Sequence, residues 1–140
     1  MTLVKKALSA IAVLSLVACS SMPSWMGGGS KVHLTGAEEV PPVSTSASGD
    51  GKFSIGSDGS VKGSVNVSGM QAVAAHIHMG AKGQNGPVIV PLTKSGDSFA
   101  APEGAKLNDA QLAAYKAGNL YVNVHSPQHK GGEIRAQLQP

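Results

Sequence analysis

The stretch Leu120-Tyr121-Val122-Asn123-Val124-His125-Ser126-Pro127-Gln128-His129-Lys130-Gly131-Gly132-Glu133-Ile134-Arg135-Ala136-Gln137-Leu138 decides the fold. Its two arms alternate apolar and polar residues, and a Ser/Pro/Gly-rich turn separates them. Successive side chains of a strand point to opposite faces. Leu120, Val122 and Val124 therefore share one face with Ile134, Ala136 and Leu138, the natural core set. Tyr121, Asn123 and His125, with Glu133, Arg135 and Gln137, fall on the other face. The pattern predicts a closing antiparallel hairpin with one greasy side and one outward, polar side.

The same period runs upstream. Val32-His33-Leu34 opens an alternating segment, Phe53 and Ile55 alternate within Gly51–Gly56, and Val61, Val65 and Val67 continue after the hairpin turn Asp58-Gly59. Ala74–Met79 and Val88–Leu92 are further strands, separated by the loop Gly80–Pro87. Pro41-Pro42 excludes a central strand at Glu38–Val43, and Glu38-Glu39 reads as a solvated pair. One short helix interrupts the strands near 108–117. Asn108 is a good N-cap with Gln111 at N3, Leu107 and Leu112 stand at the staple positions, and Gly118 supplies the stop. Seven or eight short antiparallel strands predict an all-β domain, an antiparallel β-sandwich of immunoglobulin-like, Greek-key type.

The chain has 140 residues, 18 of them Gly and eight Pro, a turn-rich composition that agrees with that class. The formal charge of +3 overstates the mature balance. Lys5 and Lys6 belong to an apparent export signal, and removing them from 11 basic residues leaves nine against eight acidic ones. No basic stripe with interleaved aromatics is present, so a nucleic-acid partner is not expected. Ala7–Ala18 is an apolar run of twelve residues, short of the roughly 20 needed to span a bilayer and of the length of a signal h-region. It ends in Leu16-Val17-Ala18-Cys19, which resembles the lipobox of bacterial lipoproteins.

That resemblance divides the chain into a signal peptide over 1–18, a flexible tether over 19–30 starting at a lipidated Cys19, and a folded domain over 31–140. Ser20 rather than aspartate follows the cysteine, which favours anchoring in the outer membrane, facing the periplasm. Cys19 is the one cysteine, so the chain has no intramolecular disulfide and no CxxC site.

The histidines carry the expected chemistry. In a strand, residues i and i+2 share a face roughly 6.6–6.8 Å apart, so His76 and His78 project together while Ala75, Ile77 and Met79 take the other face. His125 lies on the same polar side of the closing hairpin. Imidazole nitrogens converging in this way suit a metal held at about 2.0–2.1 Å. His129, four residues beyond His125 in the turn, is a possible fourth ligand. Without thiolates or clustered carboxylates the set points to copper, Cu(II) first, and then to zinc. Glu133 is the expected hydrogen-bond partner of His125 behind the metal. His33 lies apart and needs no special role, and Asn123 and Arg135 read as cross-strand hydrogen-bonding groups.

Glu39-Val40-Pro41-Pro42-Val43, Ala75-His76-Ile77-His78-Met79-Gly80, Asn85-Gly86-Pro87-Val88, Gly118–His125 and Gly132-Glu133-Ile134-Arg135 together resemble the CHRD domain, the chordin-type module also present in bacterial secreted proteins. The likeness covers about Lys31 to Leu138 and implies an extracytoplasmic β-sandwich. The H-x-H strand also resembles that of copper/zinc superoxide dismutase, although a disulfide pair and a zinc-loop cluster are missing here. Three functions follow as expectations. The first is copper holding or transfer without turnover. The second is a metal-free structural or protein-interaction module with an envelope protein as partner. The third is a superoxide-consuming copper enzyme with Arg135 as a nearby cation.

Overall fold

The computed structural model describes residues 29–140. The signal peptide, Cys19 and nearly all of the expected tether lie outside the described residues. Among the described ones, no helix is long and apolar enough to cross a membrane.

Nine strands follow in the order β1 (Ser30–Thr35), β2 (Ser48–Ile55), β3 (Val61–Ser68), β4 (Ala74–Met79), β5 (Val88–Pro91), β6 (Thr93–Ser95), β7 (Ser98–Ala100), β8 (Leu120–His125) and β9 (Ile134–Leu138). A 3-10 turn over Gly36–Glu38 follows β1, and α1 (Asp109–Lys116) precedes β8. All strand pairings are antiparallel, in one sheet of order β5-β4-β8-β9-β1-β2-β3-β7-β6. Its two ends, β5 and β6, are consecutive on the chain, joined at Leu92, whose N–H donates to the Ala75 carbonyl of β4 at 2.9 Å. The sheet therefore rolls until its edges meet on a single stretch of backbone. This leaves few unpaired strand groups for another chain to extend. The all-β antiparallel class and the single helix are as expected. The layers of the sandwich are opposite walls of this one rolled sheet.

Inside the roll, period-two alternation does what the sequence asks of it. Leu34, Phe53, Val65, Ile77, Phe99, Leu120, Val122, Val124 and Ile134 are fully enclosed. The short hairpin β6–β7 was not legible. Thr93, Lys94 and Ser95 are all exposed, so β6 has no apolar period, and only Phe99 marks β7. The helix forms where its signals stand. The Asn108 side chain accepts from the Gln111 N–H at 2.8 Å while Gln111 caps the Asn108 N–H at 2.9 Å. Gly118, at φ 77°, takes the left-handed conformation after the last turn.

The opposite face of β4, β8 and β9 departs from expectation. Tyr121, Asn123, Glu133 and Arg135 are buried, not solvated. Two irregular segments cover them, residues 36–45 and the loop 80–87. Arg135 donates to the carbonyls of Ala81 at 3.1 Å and Gln84 at 2.8 Å, and Gln137 to that of Gly80 at 2.8 Å. Asn85 ties the loop to the other cover through the Val40 carbonyl at 2.8 Å. Glu39 is enclosed under the same cover, so Glu38-Glu39 is not a solvated pair. Only Glu38 stays near solvent, 3.7 Å from exposed Lys82. The molecule thus has a second, polar interior outside the roll. Arg135, Gln137, Glu133 and Tyr121 are hydrogen-bonded there, while Glu39 Oε1 and Asn123 Oδ1 are buried without a partner.

Candidate metal centre

Strand register builds the site. In β4–β8, Ala74 faces His125, His76 faces Asn123 and His78 faces Tyr121. His76 and His78 are neighbours along β4, and His125 joins them at the end of β8. One ring nitrogen from each of the three lies within 4.8 Å of the others. His76 Nδ1 and His125 Nε2 are 3.0 Å apart, already the separation that two ligands on one ion at about 2 Å require.

Backbone carbonyls set which nitrogens are free. His78 Nδ1 lies 2.9 Å from the Gly86 carbonyl and His125 Nδ1 lies 2.8 Å from that of Lys130. A carbonyl accepts only, so both Nδ1 atoms carry the proton and both Nε2 atoms present a lone pair. His78 Nε2 is buried and has no hydrogen-bond partner. An orphaned acceptor of this kind, beside two other imidazoles, fits a metal ligand; the alternative is an uncompensated desolvated group. The donor set is His76 Nδ1, His78 Nε2 and His125 Nε2. Burial, reinforced by the positive charge that its neighbours His125 and His78 would carry, lowers the proton affinity of His76. Burial also lowers that of His78, against the opposing pull of the Gly86 carbonyl and of the neighbouring Asn123 side chain. Both rings are thereby held neutral near pH 7, the form that binds a metal.

Behind the three histidines stands an aromatic stack. The Tyr121 ring lies parallel to His78, with centroids 4.7 Å apart and 4° between planes. The Arg135 guanidinium lies 3.4 Å from the same Tyr121 ring. The Tyr121 hydroxyl accepts from the Gly86 N–H at 3.0 Å, so Gly86 grips both members of the stack. A Cβ on Gly86 would stand 1.8 Å from the Met79 carbonyl oxygen, which only glycine avoids at this approach. Gly86→Ala is expected to displace its carbonyl from His78 and, if the three histidines hold a metal, to weaken that binding about 10–100-fold, the usual effect of losing a group that orients a ligand. Competitive metal titration with wild type and variant measures this.

The other expected residues stand elsewhere. His129 is outside the converging set. It lines a cleft of about 560 Å³ with Glu39, Val40, Pro41, Gly131 and Gly132. The Glu133 carboxylate accepts from Thr45 Oγ1 at 2.8 Å, and the Lys130 carbonyl takes the place beside His125 that was expected for it. His33 pairs with Asp50 at 2.7 Å on the exposed side of β1–β2. Arg135 and Asn123 are directly opposite in β8–β9, but they do not bond to each other across the strands: Asn123 donates to the Gly131 carbonyl and Arg135 to those of Ala81 and Gln84. Arg135 is 1% exposed and spends its donors on loop carbonyls, so it offers no open cation to an approaching anion.

Sequence reasoning missed Gly86, the Lys130 carbonyl and Tyr121 as supports of the histidines. The two carbonyls have no side-chain signal. Tyr121 was placed on the correct face by alternation, but its stacking depends on the ring of a different strand.

No curated protein and no solved structure matches the chain. The sequence profile of the CHRD domain matches residues 30–138, which spans all nine strands and the whole polar interior. The chain belongs to the CHRD-domain family.

Proposed function

We propose that this CHRD protein is anchored through a lipid on Cys19 to the outer membrane, facing the periplasm. There it holds or passes on copper through His76, His78 and His125. The convergence of three imidazole nitrogens within 4.8 Å, with the buried His78 Nε2 lacking any partner, carries the reading. Neutral imidazoles without thiolates suit copper before zinc. His76 and His125 are only half-buried, which leaves the ion a route for exchange. The membrane part of the reading rests on Lys5-Lys6, the apolar run Ala7–Ala18 and the lipobox-like Leu16-Val17-Ala18-Cys19.

Titration of the purified protein with Cu(II), followed by electron paramagnetic resonance, tests the copper reading. One equivalent with nitrogen hyperfine coupling is expected, and His76→Ala or His125→Ala should abolish it. Millimolar binding that ignores both substitutions would replace this reading with that of a metal-free interaction module. Acidification through the histidine range should release the metal, because protons compete for the same lone pairs.

A further inference from the structure

Resting on the copper reading above, we propose that this site binds the cuprous ion more tightly than the cupric ion, because it offers three imidazoles and no anionic ligand, backed by the buried cation of Arg135.

The donor set comes first. The converging group contains three histidines, and no carboxylate joins it among the described residues. Glu133 is bonded to Thr45, and His129 opens on a different cleft. The loaded centre therefore carries the full charge of its ion. A d10 cuprous ion is satisfied by two or three ligands, whereas Cu(II) seeks a tetragonal set of four or more. A fourth and fifth ligand for Cu(II) would have to be water on the side of half-buried His76 and His125.

The field behind the ligands acts in the same direction. Arg135 sits 3.4 Å from the Tyr121 ring, and Tyr121 stacks on His78 at 4.7 Å. Arg135 is 1% exposed, so water screens its charge little. Its charge stands directly behind the His78 ring, separated from it only by the Tyr121 ring. A charge that repels one proton repels a divalent ion about twice as strongly as a monovalent one. The acidic groups facing Arg135 are Glu39 and Glu38. Glu38 lies near solvent with Lys82 as its ion-pair partner, and burial keeps Glu39 protonated up to about pH 7. Compensation of the arginine is incomplete.

Dissociation constants for both ions decide the matter. Cu(I) is measured under ascorbate against a chromogenic cuprous chelator, and Cu(II) is measured in air against glycine. The expected result is a Cu(I) constant at least 100-fold below that for Cu(II). That ratio lifts the potential of the bound couple by about 120 mV over aqueous copper, at 59 mV per tenfold for one electron. Arg135→Gln should reduce the ratio about tenfold. Should that variant not fold, Glu39→Gln at pH 8 removes the carboxylate beside Arg135 and should raise the ratio several-fold. Tighter binding of Cu(II) by the wild type would overturn the proposal while leaving the copper site standing, as would a ratio that neither variant moves. Millimolar binding of both ions, unchanged in His78→Ala, would instead remove the metal reading itself.

Discussion

Replacing Arg135 by alanine is expected to destabilise the fold by about 3–5 kcal/mol, the usual effect of removing one partner from a buried charged network. The guanidinium holds the Ala81 and Gln84 carbonyls and stands 3.4 Å over the Tyr121 ring. Alanine leaves those carbonyls under cover with nothing to donate to them, removes the charge facing Glu39, and opens a hole beside the aromatic ring. Arg135→Lys should recover part of the loss. An ammonium keeps the charge but lacks the planar fork that spans two carbonyls and stacks on an aromatic face. Urea unfolding followed by circular dichroism measures both variants. A midpoint shift with an unchanged slope identifies lost native-state stability. A loss below about 1 kcal/mol for the alanine variant would show that the loop is held by other contacts.

The position of Arg135 on its strand was readable from alternation, as was its cross-strand neighbour Asn123. Its burial was not. The face carrying Tyr121, Asn123 and Arg135 reads as polar and outward because most strand faces with that composition are solvated. Here it is covered by residues 36–45 and 80–87, whose Gly, Pro, Asn and Ser content has no period to register against a sheet. The bonds that bring them in join positions far apart, such as Arg135 to Ala81 and Asn85 to Val40.

Stability should fall by about 3 kcal/mol as pH rises from 4.5 to 7 on account of Glu39 alone. Burial drives its carboxyl from 4.5 up to about 7, and the pull of Arg135 and of hydrogen bonds from Asn123 and Val40 offsets that only in part. Below pH 4.5 the folded and unfolded states both hold the proton, and the group has no effect on the slope. Between 4.5 and 7 the unfolded chain releases it while the folded chain retains it. The unfolded state therefore gains about 1.4 kcal/mol per pH unit. Above 7 both forms are ionised and the loss is complete. His76 and His78 act oppositely. Their folded proton affinities lie below the ordinary value of 6.5, so the unfolded state takes up protons first and stability falls as pH drops below about 6.5. Denaturant unfolding of wild type and Glu39→Gln across pH 4 to 8 separates the two effects. The difference between the proteins should grow in favour of the glutamine variant through 4.5 to 7 and then level off. A flat difference would mean that folding leaves the proton affinity of Glu39 at its ordinary value.

Local chemistry was enough to place every strand but β6 and β7, the Asn108-capped helix, the apolar face of each central strand and the adjacency of His76 and His78. Each of these follows from side-chain direction or capping over a few residues, and such rules act wherever the chain lies. The addition of His125 also followed from alternation, once β4 and β8 are neighbours. Tertiary structure alone decided that the sheet rolls up with β5 and β6 as its two meeting edges. It also placed the backbone carbonyls of Gly86 and Lys130 behind the histidines, directed His129 into a separate cleft, and enclosed Glu39 and Arg135 in a second, polar interior. Those outcomes depend on where irregular segments come to rest. Their backbone groups are the same in every residue, and no side-chain pattern records which distant partner will receive them.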